Sequence, residues 1–198
     1  ALEVINAISK NEKIHIYRHF SSKEEYETGI NQLTSNIDFI LFLGWSWIIN
    51  KDIIGKYLCI GIHPSDLPMY RGGSPIQHQI IEGIRNTKLT LMTLSDVGID
   101  EGDILYKEDL DLSGNNMDDI FKHISTSSIV LLNKFFNEFP NITPIKQNIL
   151  EGSYHKRRIP NQSKMARDDF SSKSLLDLYN FIRALTDPYP NAYIEDEQ

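Results

Sequence analysis

LCIGIHPSDLPMYRGG, residues 58–73, opens on an apolar run and passes straight into a loop carrying His63, Ser65, Asp66, Tyr70, Arg71 and two prolines. An apolar run of strand length, bounded by turn residues, belongs to a strand covered on both faces. FILFL (39–43) is a second such run, and the segment containing WSWII lies between the two. After the loop, PIQHQIIEGI (75–84) reads as a helix with proline in its first turn. LTLMTLSD and DILYKEDLDL read as strands around the glycine-bearing turn VGIDEGD.

The remaining segments are assigned by spacing. Leu2, Ile5 and Ile8 recur at helical intervals, KIHIY (13–17) alternates like a strand, and Ser21-Ser22 cap a polar helix through Leu33. Residues 116–139 form the clearest helix, with Met117, Ile120, Phe121, Ile124, Leu131, Leu132, Phe135 and Phe136 on one core-facing stripe. Strands alternating with helices predict an α/β domain with a mostly parallel central sheet flanked by helices. Ligands of such sheets bind beyond the carboxyl ends of the strands, where the WSWII segment and the HPSDLP loop are expected.

The chain has 198 residues, 40% apolar and 24% charged, which fits a single globular domain over 1–198. It opens inside a helix, so a first strand and a C-terminal extension are expected outside this sequence. Net charge is −7 and pI about 5.3, which disfavours an extended nucleic-acid surface. One cysteine, Cys59, excludes an internal disulfide and a cysteine zinc site, and its apolar setting makes it a small buried hydrophobe. No apolar stretch approaches the roughly 20 residues of a membrane span, and no signal peptide is visible, so the expected location is cytoplasmic. The histidines show no metal-ligand spacing, and Gly72-Gly73 lacks the other residues of a phosphate loop. YHKRR (154–158) is a basic cluster able to take a phosphate or to form a solvated face.

His63 ends a buried strand, and Pro64 and Pro68 stiffen the loop after it. An aspartate beside it would orient the imidazole for acid–base work. SDVGIDEGD offers Asp96, Asp100, Glu101 and Asp103, and the residues alone do not choose among them.

LFLGWSWII, HPSDLPMYRGGSPIQ, TLMTLSDVGIDEGDIL and IRALTDPYPNAY together resemble the folate-dependent formyltransferases, in order and spacing, from about Ile37 to Asn191. The nucleotide-sugar N-formyltransferases are the most similar branch. The resemblance implies a Rossmann-like sheet that binds N10-formyltetrahydrofolate as cosubstrate and passes its formyl group to an amine. It places the active histidine on His63 and the aspartate on Asp100. It places the folate pocket on Trp47, Ile48 and Ile49, on Ser65, Asp66, Leu67 and Pro68, and on Asp96, Val97, Gly98 and Ile99. The implied chemistry is acyl transfer: an amine attacks the formyl carbon, an oxyanion develops, and His63 moves the proton to the departing nitrogen.

One position departs from the family. Where an asparagine normally donates to the oxyanion, two residues before the histidine, this chain has Gly61. Loss of one such donor costs about 2.7–4 kcal/mol. Ser65, Gln77, the backbone of the glycine-bearing loop or a water are the candidate replacements; otherwise the enzyme is slower, or the domain binds without turnover. The expected acceptor is a nucleotide-linked amino-deoxy sugar (UDP- or dTDP-linked) for surface polysaccharide such as O-antigen. Arg71 and Gln77 are the expected acceptor contacts, and Lys156, Arg157 and Arg158 the alternative phosphate partners. A methionyl-tRNA formyltransferase and a formyltetrahydrofolate hydrolase are the other enzyme readings. No nucleic acid, membrane or metal is expected as a partner, and a homodimer is left open.

Overall fold

The computed structural model describes residues 1–34 and 36–195. Helices α1 (Leu2–Ile8) and α2 (Lys23–Gly29) precede strand β1 (Ile40–Phe42); α3 (Lys51–Lys56) then leads to β2 (Cys59–His63). Next along the chain come β3 (Arg71–Gly72), α4 (Pro75–Ile81) and the strands β4 (Asn86–Thr93) and β5 (Ile104–Asp111). The C-terminal part holds α5 (Met117–Glu138), β6 (Tyr154–His155), α6 (Asp169–Ser172) and α7 (Leu175–Ala184).

Local chemistry sets the helix starts. The Ser22 hydroxyl accepts from the Glu25 amide, and the Asn116 side chain accepts from the Asp119 amide. Each satisfies an amide that the first helical turn leaves without a partner. Asp118 and Asp119 also place negative charge at the positive end of the α5 dipole. α7 begins with a reciprocal box between Ser174 and Asp177.

The main sheet runs β1-β2-β4-β5. β1 is parallel to β2, whereas β2–β4 and β4–β5 are antiparallel. The α/β class and the flanking helices are as expected, but the sheet is mixed rather than mostly parallel. An apolar run reports burial on both faces and carries no information on direction. Direction comes from the connections: residues 94–103 return β5 antiparallel to β4, and the loop and helix after β2 return β4 against it.

Alternation along β1 and β2 divides the core in two. Leu41, Ile60 and Ile62 face a large cluster built with α1 and α5, including Val4, Ile8, Leu131 and Phe135. Ile40, Phe42 and Cys59 face a second cluster with Tyr26, Ile30, Ile53 and Tyr57. Gly61 and His63 share the Cys59 face by the same alternation. The KIHIY segment is not a strand. No strand pairs with it among the described residues; Ile14 packs on the core while Ile16 and Tyr17 are exposed. Alternation there reflects one partly buried anchor rather than a sheet edge.

Candidate active site

β2 delivers His63 to its carboxyl end, where the side chain is almost fully buried. Nδ1 lies 3.4 Å from Asp100 Oδ2, and Nε2 lies 2.8 Å from the Tyr70 carbonyl oxygen. Both neighbours are acceptors. A neutral imidazole has one N–H and satisfies one of them; only the doubly protonated ring donates to both. Tyr70 holds its carbonyl there with φ +56° and an amide that donates to Ser153 Oγ at 2.8 Å.

Asp100 reaches His63 from an unexpected direction. β4 ends at Thr93, paired with Ile60 near the start of β2, so the 94–102 connection must fold back along the sheet face. Asp100 itself has φ +57°, a conformation that aspartate tolerates better than most residues. Its Oδ2 accepts from the Gly72 amide at 2.9 Å. Gln147 Nε2 donates to the carbonyls of Asp100 (2.9 Å) and Gly102 (2.6 Å). Next door, Glu101 pairs with Arg71. Gly102 permits the fold-back, since a β-carbon there would collide with the Thr93 carbonyl oxygen. Gly72, with φ +93°, likewise lets the loop lie against the His155 carbonyl.

The loop after His63 is bonded throughout. Ser65 Oγ donates to the Met69 carbonyl at 2.6 Å, and Thr90 Oγ1 donates to the Ser65 carbonyl at 2.7 Å. Gln79 Nε2 donates to the Pro64 carbonyl at 2.8 Å. Lys107 Nζ donates to the Leu67 carbonyl at 2.6 Å and pairs with Asp66. Such a loop presents backbone groups with little left to reorganise.

The expected folate residues divide by environment. Trp47, Ile48, Val97 and Ile99 are exposed apolar groups, the last three at 89%, 83% and 51%. Asp66 and Asp96 are also exposed, and Pro68 is half-buried. Ile49 and Leu67 are core residues, and Ser65 is fully buried in its own loop. Gly98 lies against the Glu101 carboxylate. Trp45 packs in the aromatic cluster with Tyr26 and Phe42, as core.

The expected acceptor contacts, Arg71 and Gln77, are both buried. Arg71 is 7% exposed, and its head group is taken up by Glu101, because the turn carrying Asp100 folds over it. Gln77 is buried and lines a cavity of about 30 Å³ with Arg158, Ser163 and Tyr189, room enough for a water. Arg158 donates to the Gln162 carbonyl and lies over the Phe181 ring; burial pushes its guanidinium below the ordinary value. Lys156 and Arg157 remain exposed.

Of the candidate replacements for the missing donor at position 61, the Gln77 side-chain nitrogen is buried with no hydrogen-bond partner among the described residues. Ser65 Oγ and the Gly72 amide are both engaged in bonds of their own. The space an asparagine would enter holds Leu94: a β-carbon on Gly61 would stand 2.8 Å from Leu94 Cδ2.

Sequence spacing points to no metal ligands, yet folding gathers His78, Glu82 and His155. The His78 Nε2–H donates to the Lys156 carbonyl at 3.1 Å, and burial pushes the ring below its ordinary value. Tyr70 donates its hydroxyl to Glu82; burial, then that bond, pushes the phenol up to about 12. Tyr70 and Gln147 are the residues that sequence reasoning misses as parts of the site, and Glu101, one of the four acids it offers, pairs with Arg71 rather than His63. Tyr70 stands in the opening loop, but a backbone carbonyl leaves no mark in a sequence.

The formyl transferase family model matches residues 3–123, more than half of the chain. This chain belongs to the formyl transferase family. It is 32% identical over 192 residues to methionyl-tRNA formyltransferase of Rickettsia massiliae (strain Mtu5), covering 96% of this chain and 61% of that protein. The chain thus spans about three fifths of that relative's length. Among solved structures it resembles methionyl-tRNA formyltransferase from Clostridium thermocellum, with TM-score 0.81 and 34% identity over 98% of this chain and 82% of that one. A 4-N formyltransferase from Francisella tularensis shares the fold, with TM-score 0.77, 23% identity, and 99% and 88% coverage. Family membership carries the α/β formyltransferase fold with its mixed sheet. Among the described residues no helix is long and apolar enough to cross a membrane.

Proposed function

We propose that this chain transfers a formyl group from N10-formyltetrahydrofolate to the primary amine of a nucleotide-linked amino-deoxy sugar. The observation that carries the transfer reading is the His63–Asp100 contact at the carboxyl end of β2, in a chain of this family. The donor supplies an activated formyl carbon. His63 exchanges its bond to the Tyr70 carbonyl for one to the reacting nitrogens, taking a proton from the amine and returning it to the departing side. Asp100 holds the ring through Nδ1 and balances its charge while it carries both protons. Trp47, Ile48, Val97 and Ile99 are the apolar wall offered to a flat pterin, and the bonded 64–68 loop offers its polar edge.

The acceptor reading rests on charge. The chain carries −7 overall, and two of its site arginines, Arg71 and Arg158, are engaged internally. Lys156 and Arg157 are left exposed, a pair suited to one pyrophosphate rather than to a nucleic-acid backbone. The second reading, methionyl-tRNA as acceptor, is favoured by the names of the relatives above 30% identity.

The test is formyl transfer from N10-formyltetrahydrofolate to a panel of UDP- and dTDP-linked 3-amino- and 4-amino-deoxy sugars, with methionyl-tRNA alongside, on the full chain. Formylated sugar, lost by at least 10²-fold in His63→Ala, is the expected result. Product on methionyl-tRNA alone establishes the second reading. Folate binding without product from either acceptor, or free formate without an acceptor, sinks both.

A further inference from the structure

Outside the His63 centre, one cluster of ligand-type side chains is assembled by the fold from two separate places. His78 and Glu82 lie one turn apart, at α4 and its end, and His155 comes from β6. A ring nitrogen of each histidine and a carboxylate oxygen of Glu82 all lie within 4.8 Å of one another. Two imidazoles and a carboxylate are the donor set of a borderline divalent ion, Zn²⁺ in particular, with water completing four-coordination.

Three features separate this group from a chance meeting of polar side chains. The His78 Nε2–H is already held by the Lys156 carbonyl, which fixes the tautomer and leaves Nδ1 as the bare nitrogen. That is the outer support a metal-binding histidine ordinarily has. Glu82 is held too, by the Tyr70 hydroxyl, which leaves its second oxygen for the ion. His155 stacks on Tyr70 (4.9 Å between centroids, 11°) and lies tilted against His78 (4.6 Å, 40°), so packing restrains its ring. The His155 ring makes no side-chain hydrogen bond among the described residues.

We propose that His78, Glu82 and His155 form a binding site for Zn²⁺ or a similar divalent transition ion. Donor atoms around a tetrahedral Zn²⁺ stand on the order of 3.4 Å apart, from metal–ligand distances of about 2.0–2.1 Å. Closing from the present spacing requires rotation of Glu82, which is exposed, and a small shift of the rings. The ion joins the end of α4 to β6 and fixes Tyr70 through Glu82. Since the Tyr70 carbonyl receives the His63 ring, the site braces the loop behind the histidine without touching the reacting atoms. It stands independently of the choice of formyl acceptor.

The experiment is a Zn²⁺ titration of the full, chelator-stripped chain, by competition with a chromophoric chelator, with thermal melts at each metal concentration. The expected result is one Zn²⁺ per chain and a Tm that rises with added metal. His78→Ala and His155→Ala should each weaken binding by roughly 100-fold, and Tyr70→Phe by about 10-fold, the usual size of an outer-support loss. Glu82→Gln removes one anionic ligand at an exposed position, so it tests the site even where a histidine variant misfolds; it should abolish the metal-dependent rise in Tm. His123→Ala, on α5, should leave the titration unchanged. Absence of stoichiometric binding overturns the proposal, as does Zn²⁺ affinity equal in wild type and Glu82→Gln.

Discussion

At the scale of single residues, Gly61 and His63 are neighbours on one strand face with opposite consequences. His63 is held at both nitrogens, by Tyr70 and Asp100. Gly61 offers no side chain, and Leu94 fills the space above it. The two residues are therefore linked through packing: restoring a donor at 61 requires Leu94 to move. Gly61→Asn alone should overpack the site and lower stability by about 1–3 kcal/mol in denaturant unfolding. Combining it with Leu94→Ala should recover part of that loss, giving a positive coupling in the double-mutant cycle. Simple additivity of the two changes would mean that Leu94 does not occupy that space in solution. If transfer is confirmed, the double variant is also where a faster rate should appear, because an oxyanion donor is restored without the clash.

At the scale of elements, the decisive piece is the 94–102 connection rather than any helix. It leaves β4 near the start of β2 and returns to place Asp100 at the far end. Two anchors keep it there: Arg71–Glu101 on one side and Gln147 on the other. Glu101→Gln leaves a buried guanidinium without its counter-charge and should cost about 1–3 kcal/mol of stability. Gln147→Ala removes two hydrogen bonds to the turn's own carbonyls. It should lower kcat for formyl transfer by on the order of 10-fold while changing KM little, since it displaces Asp100 and touches no substrate. A pure KM effect would instead place Gln147 in a binding role. The same connection explains why the sheet is mixed where the sequence suggests a mostly parallel one. Buried strands look alike whichever way they run, and the hairpin that reverses β4 and β5 is written only in its turn.

At the scale of the whole molecule, the two larger hydrophobic clusters lie on opposite sheet faces, and the single thiol belongs to the second of them. Burial pushes the Cys59 thiol up to about 11. The thiolate is the reactive form, so a raised value leaves very little of it at pH 8. Native protein should therefore resist a thiol-specific disulfide reagent at pH 8, and labelling should follow unfolding with the same denaturant midpoint as circular dichroism. Rapid labelling of the native chain would show that the face carrying β1, β2 and α3 opens locally. Truncating Phe135, at 1% exposure in the larger cluster, should by contrast cost about 3–5 kcal/mol and shift the global midpoint.

Much of this architecture is legible in the chain itself. The buried runs at 39–43 and 58–62, the caps at Ser22 and Asn116, and the long stripe of α5 arise from local spacing and side-chain chemistry, which act over a few residues. The HPSDLP and GIDEGD segments likewise carry the family, and with it His63 and Asp100. Other features depend on tertiary structure because they are relations between distant segments. The Tyr70 carbonyl at His63, the Arg71–Glu101 pair, Gln147 on the Asp100 turn and the meeting of His78 with His155 join residues whose separation along the chain gives no period to read. Burial is such a relation too: Arg71 and Gln77 read as residues of a loop and a helix, and are interior once the chain closes over them. Sequence determines which groups exist and which short stretches can hold them; only the folded chain determines which of them are left facing one another.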